Sequence, residues 1–289
     1  MKEFHLPLFD HYGQPCEFTG TRTGDELLDG ALVADGREIG KVRRGIAAFP
    51  SAHDEREPSI QAFVEACRKG NWISHNWQNE QDCSQIPGRA RLCDELSAID
   101  GPILEIAAGP GGGNLSPILH RFPNASIVVN DILTPFLEIW QDQLVSMGVG
   151  PRVSFAAFDA RLSPLSENSL SAISSNGGFS NIVGDKSQAV REAVRVLKLG
   201  GRLCISEGLL DIDELIRLPV ELRDDYQLEM CLAKTGWGSL FEEAGLRIIW
   251  HDTTQGRALT PENDGVAVEA AKHGVTLHMR FEYVIAEKP

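Results

Sequence analysis

From Pro102 to Gly208 short apolar runs alternate with helical segments five times, and this alternation constrains the chain more than any other feature. "PILEIA", "SIVVND", "RVSFAAFD", "SLSAISSN" and "RLCISEG" each read as a buried strand. Between them lie "GNLSPILHRF", "PFLEIWQDQLVSMG" and "DKSQAVREAVRVLKLGG", which read as helices; in the last, Ala189, Val190, Ala193, Val194 and Leu197 share one face and Gly200-Gly201 ends it. Continuous apolar strands separated by amphipathic helices predict a parallel sheet covered on both faces. In such sheets ligands bind beyond the carboxyl ends of the strands. The residues there are Glu105, Asp131, Asp159, the stretch "SSNGG" (174–178) and Glu207. Any one of these acids could be a helix cap or a solvated strand end.

The first strand runs into "LEIAAGPGGGNL", residues 104–115, a glycine-rich turn of the sort that cradles nucleotides. No Lys follows these glycines, which excludes a triphosphate-binding P-loop. The dinucleotide pattern G-x-G-x-x-G fails because Asn114 stands where its third glycine belongs. Glu105, four residues before Gly109, would repel a pyrophosphate and attract an ammonium or sulfonium. The turn is therefore expected to seat a cationic nucleoside without phosphate.

These motifs resemble the class I S-adenosylmethionine-dependent methyltransferases over roughly residues 60 to 289. The family's acid-x-Gly-x-Gly-x-Gly appears as Glu105-x-Ala107-x-Gly109-x-Gly111, with alanine in place of the first glycine. Asp131 follows Gly111 by twenty residues, at the family's usual distance, and Asp159 ends the third strand. "VRVLKLGGRLCISE", "LFEEAGLRII" and the closing "YVIAEKP" are similar to the family's later signatures. The one further departure is Ser171, where many members carry Asp.

The resemblance implies an α/β fold: a Rossmann-like, seven-stranded, mostly parallel sheet with an antiparallel last strand, expected as an addition to the sheet edge. It implies S-adenosylmethionine as cofactor, S-adenosylhomocysteine as product, and methyl transfer by direct in-line displacement. By that resemblance Glu105, Ala107, Gly109 and Gly111 would hold the methionine end. Asp131 and the adjacent Ile132 would bind the ribose, Asp159 and Ala160 the adenine, and the backbone at Ser175 and Asn176 would lie beneath the sulfonium. The segment before the first strand usually folds over the cofactor, which makes Asn76, Trp77 and Arg89 candidates to touch it.

The acceptor is less legible. "SSNGGF" is not the [DNS]-P-P-[YF] signature of adenine or amide methylation. His75, His251 and Glu207 are the candidate bases, with Asp211 beside them. Residues 211–232 or so read as a longer helical segment, the stretch from Gly208 onward could form a lid over an acceptor, and "NWISHNWQNEQ" reads as an aromatic, polar loop.

The first 57 residues carry Gly and Asp at short intervals and read as a small β-rich appendage, bounded by the charged "SAHDEREPS", with residues 58–289 as the methyltransferase domain. "DGREIGKVRRGIAAFPS" resembles the tail of zinc-ribbon modules that precede some methyltransferases. Only Cys16 remains of the cysteines such a module needs, which implies a metal-free module held by apolar packing.

The six cysteines form no C-x-x-C pair, so no metal is expected, and scattered thiols fit a reducing cytoplasm. No apolar run is long enough to span a bilayer. The net charge of −14 disfavours nucleic acid, and a small-molecule acceptor is expected. Two other readings stand beside this one: an RNA or protein methyltransferase using the N-terminal module for recognition, and a non-catalytic S-adenosylmethionine-binding subunit.

Overall fold

The structure is a computed structural model that describes residues 1–50, 57–80, 82–226, 228–260 and 265–289. The charged stretch expected as a boundary lies mostly outside the described residues. After a tiny hairpin of β1 (Asp10–His11) and β2 (Gln14–Pro15) come β3 (Glu17–Thr23), β4 (Glu26–Ala34), β5 (Arg37–Arg43) and β6 (Ile46–Ala48). Three helices follow: α1 (Pro58–Lys69), α2 (Trp72–Glu80) and α3 (Pro87–Ser97). The alternating region then runs β7 (Ile103–Glu105), α4 (Leu115–Arg121), β8 (Ile127–Asp131), α5 (Thr134–Met147), β9 (Val153–Ala157), β10 (Leu170–Asn176), α6 (Lys186–Val196) and β11 (Leu197–Leu210). The chain closes with α7 (Ile212–Leu215), α8 (Val220–Asp225), α9 (Met230–Glu243), β12 (Arg247–Thr253), β13 (Arg257–Ala258), α10 (Gly265–Lys272) and β14 (His278–Glu287).

The large sheet has the order β12-β14-β11-β10-β7-β8-β9-β6-β5-β4-β3. Its first seven strands are the expected Rossmann-like sheet, parallel except for β14, which runs antiparallel to both neighbours. The side-chain period of two explains why the runs are apolar throughout. Leu104, Val128, Ala156, Ile173 and Leu203 face one core, with α6 and α9. Ile103, Val129, Phe155, Ala172 and Cys204 face the other, with α2, α3, α4 and α5.

Three local expectations are corrected. The closing strand is not an edge addition: β14 lies between β11 and β12, and its residues 283–286 are buried on both faces. The segment 72–80 is the helix α2, not a loop. Its apolar stripe is only Ile73 and Trp77, at i,i+4 spacing, and docking of those two side chains supplies what local propensity does not. The stretch after β11 is not one helix. Pro219 caps α8 and so ends what precedes it, and Gly236, at φ +80°, kinks α9, which also absorbs the expected "GSLFEEAGL" helix.

At the other end β6 pairs in parallel with β9, Ile46 opposite Phe155 and Ala48 opposite Ala157. The N-terminal strands therefore continue the main sheet. Phe9, Phe18, Leu27, Leu32 and Val42 belong to the same core as Val128 and Ala156.

His5 pins this extension. It is buried in a 3₁₀ turn, with Nδ1 2.7 Å from Ser154 Oγ and Nε2 2.8 Å from Ser126 Oγ. Burial, and then the nearby Arg152 charge, push its pKa from 6.5 to about 3. The imidazole is neutral when folded, whereas an unfolded His takes a proton below pH 6.5. Stability is therefore present above pH 6.5 and falls as the pH drops towards 3, at up to about 1.4 kcal/mol per pH unit. Urea midpoints measured at pH 7.5 and pH 5 should differ less in His5→Asn than in the native protein; equal differences would exclude His5 as the source.

Candidate functional site

The ends of β7, β8, β9 and β10 surround a cavity of about 620 Å³, within the range of small-ligand and cofactor sites. Its floor is the turn Ala107–Gly111, and its walls come from 130–133, 158–161 and 176–177. Phe63 of α1 closes one side, edge-on to Phe136 at 5.6 Å between ring centres. Gly109 and Gly111 face open space: among the described residues, their own chain neighbours aside, no atom lies within 4 Å of where a Cβ would stand. The backbone there lies bare to a ligand.

The turn is held from several sides. Gly109 N–H donates to Asp131 Oδ2 at 2.7 Å, and Trp140 Nε1 donates to Gly109 O at 2.9 Å. Asn76 Nδ2 donates to Pro110 O. Ala107 sits at φ +48°, in the left-handed region where its side chain costs roughly 1 kcal/mol. Asn130 Oδ1 accepts from its N–H at 3.2 Å, while Asn130 Nδ2 donates to Ala156 O and Phe158 O. Asn130 thus ties the turn to two strands, and sequence reasoning passed over it because an Asn inside an apolar run carries no ligand pattern. Phe63 was missed for a similar reason: it reads as one more apolar residue of an amphipathic helix.

The predicted site residues divide into two groups. Ala107, Gly109, Gly111, Asp131, Ile132, Asp159, Ala160 and Asn176 line the cavity. Asp131 is 7% exposed, and besides Gly109 N–H it accepts from Leu133 N–H at 2.8 Å. A carboxylate has about four lone-pair directions, and as an acceptor it can take further donors beside these. Asp159 differs. Its oxygens receive Arg161 N, Nε and Nη2 at 2.7–3.2 Å, so a ligand amino group would compete with Arg161 for it.

Glu105, Ser175, Trp77 and Arg89 stand behind the walls. Trp77 is 4% exposed and packs against Trp140 at 6.4 Å, in the core rather than over the ligand. Arg89 is buried, donating to Asn114 Oδ1 at 3.0 Å and Gly113 O at 2.8 Å; it braces the back of the turn. Ser175 Oγ donates to Glu207 and accepts from Gly178 N–H.

Nor do the candidate bases reach the cavity. Glu207 is fully buried and also accepts from Phe179 N–H, Ser180 N–H and Ser180 Oγ–H. Burial raises its pKa against the pull of those donors, and its geometry is that of an anchor for the turn 175–180. His75 lies on an exposed part of α2 beside Asn79, at 2.7 Å. His251 is on the edge strand β12, 3.7 Å from Glu282. Asp211 caps α7 through Asp213 N–H.

Glu105 is the anomaly. It is wholly buried at the end of β7, and among the described residues neither carboxyl oxygen has a hydrogen bond of good geometry, the nearby Ser174 hydroxyl and Asn114 N–H being poorly aligned. Burial raises its pKa to about 7, while Ser174, the Asn114 N–H and Arg89 pull the other way. A buried acid with so few donors, set behind a bare glycine turn, suits a cationic ligand better than a phosphate, through its charge and not by contact. The residues present therefore fit a nucleoside that carries a sulfonium and an ammonium.

Residues 105–205 match the protein family described as "Methyltransferase domain". The ubiquinone/menaquinone biosynthesis C-methyltransferase UbiE of Hahella chejuensis is 36% identical over 107 residues, which cover 36% of this chain and 42% of that one. Its counterpart in Pseudomonas aeruginosa strain LESB58 is 34% identical over 121 residues, covering 40% and 46%. The chain thus spans less than half the length of these curated relatives. Among solved structures, the YcgJ protein from Bacillus subtilis is similar with a TM-score of 0.54 at 17% identity, covering 70% of this chain and 97% of that one. A geranyl diphosphate methyltransferase in complex with SAM gives 0.51 at 14%, covering 82% and 93%. At those identities the structures speak for the fold alone. Family match, fold and turn geometry converge: residues 105–205 form a methyltransferase domain, and the glycine turn above Glu105 agrees with the class I S-adenosylmethionine-dependent kind.

Proposed function

We propose that the chain transfers a methyl group from S-adenosylmethionine to a small-molecule acceptor. The observation that supports this is a second cavity, of about 440 Å³, which shares Asn181, Ile182 and Val183 with the first. It lies beyond the ends of β10 and β11, under α8 and α9. The cover over it has a small core of its own, in which Leu215, Leu218, Ala233, Ala270, Val275 and Leu277 pack together. Tyr226 Oη–H reaches Gly265 O across it at 3.4 Å.

The sulfonium methyl is already activated, so the cofactor supplies the electrophile. This chain's residues bind, orient and exclude water. Asp131 accepts from the ribose hydroxyls, the 107–111 backbone holds the amino-acid end, and the cover keeps the acceptor cavity dry. Domain division at residues 57/58 belongs to the same proposal: the N-terminal strands would extend the sheet, and residues 58–289 hold both cavities.

Incubation with methyl-labelled S-adenosylmethionine and a cellular extract should place label in the low-molecular-weight fraction. Label confined to RNA or protein, or no transfer, would overturn this reading. Glu105 adds a pH signature. Its folded pKa near 7, against 4.5 unfolded, means that the ligand-free protein loses stability as the pH rises from 4.5 through 7. A bound cation favours the ionised form, so binding releases a proton below pH 7 and tightens as the pH rises towards 7. Calorimetry at pH 6.5 in buffers of different ionisation heat should detect that proton, and Glu105→Gln should abolish it. The same buffer dependence in both proteins would remove Glu105 from the account.

A further inference from the structure

The second cavity has a mostly aliphatic and aromatic wall, with Leu209, Leu232, Trp237 and Met279 prominent. Into that wall is set the ion pair Lys186 Nζ to Glu229 Oε1 at 3.0 Å, and the exposed Asp225 lines the cavity as well. The two partners are unequal. The Lys186 side chain, at the start of α6, is 8% exposed, whereas that of Glu229, at the N-cap of α9 in the cover, is 34% exposed. Glu229 can turn out to water; Lys186 has nowhere to go.

A charge embedded in an apolar wall is an expensive way to hold a cover. Well-packed apolar residues do as well or better, while a buried ammonium without a counterion is strongly penalised. An ammonium also offers three donors, and one carboxylate oxygen at 3.0 Å leaves room for more. We propose that Lys186 is a specificity-determining residue that recognises an anionic group on an otherwise apolar acceptor, with Glu229 holding its place until the acceptor enters. The proposal rests on this cavity being the acceptor site. It narrows the substrate class to apolar molecules that carry one acidic group. An uncharged hydrocarbon gains nothing from Lys186, and an amine is repelled by it while meeting the carboxylates of Glu229 and Asp225 in the same lining.

Octanoate and octanamide, alike in shape and differing in charge, are suitable probes for calorimetry with the full chain. Octanoate should bind about tenfold more tightly or better, since hydrogen bonds to charged groups exceed neutral ones by that order. Lys186→Met keeps the apolar stem and should remove this preference by weakening octanoate alone. Glu229→Gln should strengthen octanoate several-fold by releasing Lys186 from its competitor. Equal binding of the two probes by the native protein, or no octanoate binding at millimolar concentration, would overturn the proposal. So would a Lys186→Met variant that loses both probes equally, the result expected if the pair only latches the cover. Thermal melts establish that the variants fold. Failure of the methyltransferase reading is separable: it would appear as absent S-adenosylmethionine binding or absent transfer while octanoate selectivity persists. Transfer to an acceptor without an acidic group would overturn the present proposal and leave that reading intact.

Discussion

Asp131→Ala should weaken S-adenosylmethionine binding by about 100-fold or more. In the proposed site the carboxylate accepts from two ribose hydroxyls, each such charged hydrogen bond contributing roughly 1.5–3 kcal/mol, and 1.4 kcal/mol is a factor of ten. The same substitution removes the acceptor of Gly109 N–H at 2.7 Å and of Leu133 N–H at 2.8 Å, so the turn loses its tie to β8 as well. Asp131→Asn keeps one acceptor oxygen and should fall between the two. Calorimetry reads the affinity, and hydrogen exchange at Gly109 reads the loosened turn. An unchanged affinity in Asp131→Ala would refute the ribose assignment, whatever the exchange data show.

The second large effect is on folding. Gly113 sits at φ +56°, and a Cβ there would come within 1.7 Å of Glu105 Oε1. The left-handed conformation alone costs an alanine roughly 1 kcal/mol, and Glu105 is buried too deeply to swing aside. Gly113→Ala should therefore destabilise the protein by about 3 kcal/mol or more, at the upper end of what single substitutions do. Glu105→Ala removes the obstructing carboxyl. It should cost little in the ligand-free protein, because the lost contacts are offset by relief of a buried acid with few and poorly aligned donors. The double variant should then be more stable than the sum of the single effects by more than about 1 kcal/mol, the signature of residues in direct contact. Urea denaturation of the four proteins closes this cycle. Additive effects would mean that Glu105 and Gly113 do not meet as described.

The pairing of Glu105 with Gly113 also shows how far the sequence could be read. The acid and the glycines were legible as a ligand turn, and electrostatics alone chose a cation over a phosphate. Their arrangement was not. Glu105 faces the back of Gly113 instead of the cavity, because a strand's last side chain points into one face of the sheet, and here that face is closed by the helix that follows. Ala107 was legible as an irregularity; that it occupies a left-handed backbone position held by Asn130 required coordinates.

Residues placed by their chemistry alone fared worst. Trp77, Arg89, Glu207, His75 and His251 were singled out as groups able to touch ligands or move protons. Packing put Trp77 and Arg89 behind the turn and filled Glu207 with donors from 175–180, and both histidines lie outside the cavities. Side-chain chemistry is local, whereas which face of an element meets a cavity depends on contacts far apart in the chain.

The sequence by itself determined the sheet and its ligand type. Apolar periodicity and glycine stops are properties of neighbouring residues, and the acids at strand ends follow wherever those strands end. Tertiary structure alone decided where the N-terminal strands attach, that β14 enters between β11 and β12, and that a cavity lined by the buried Lys186 adjoins the one over the glycine turn. Each of these joins segments between about 30 and 110 residues apart, such as β12 with β14, β6 with β9 or Lys186 with Met279. Such pairings are selected by the burial they complete together, a quantity that no local stretch of sequence contains.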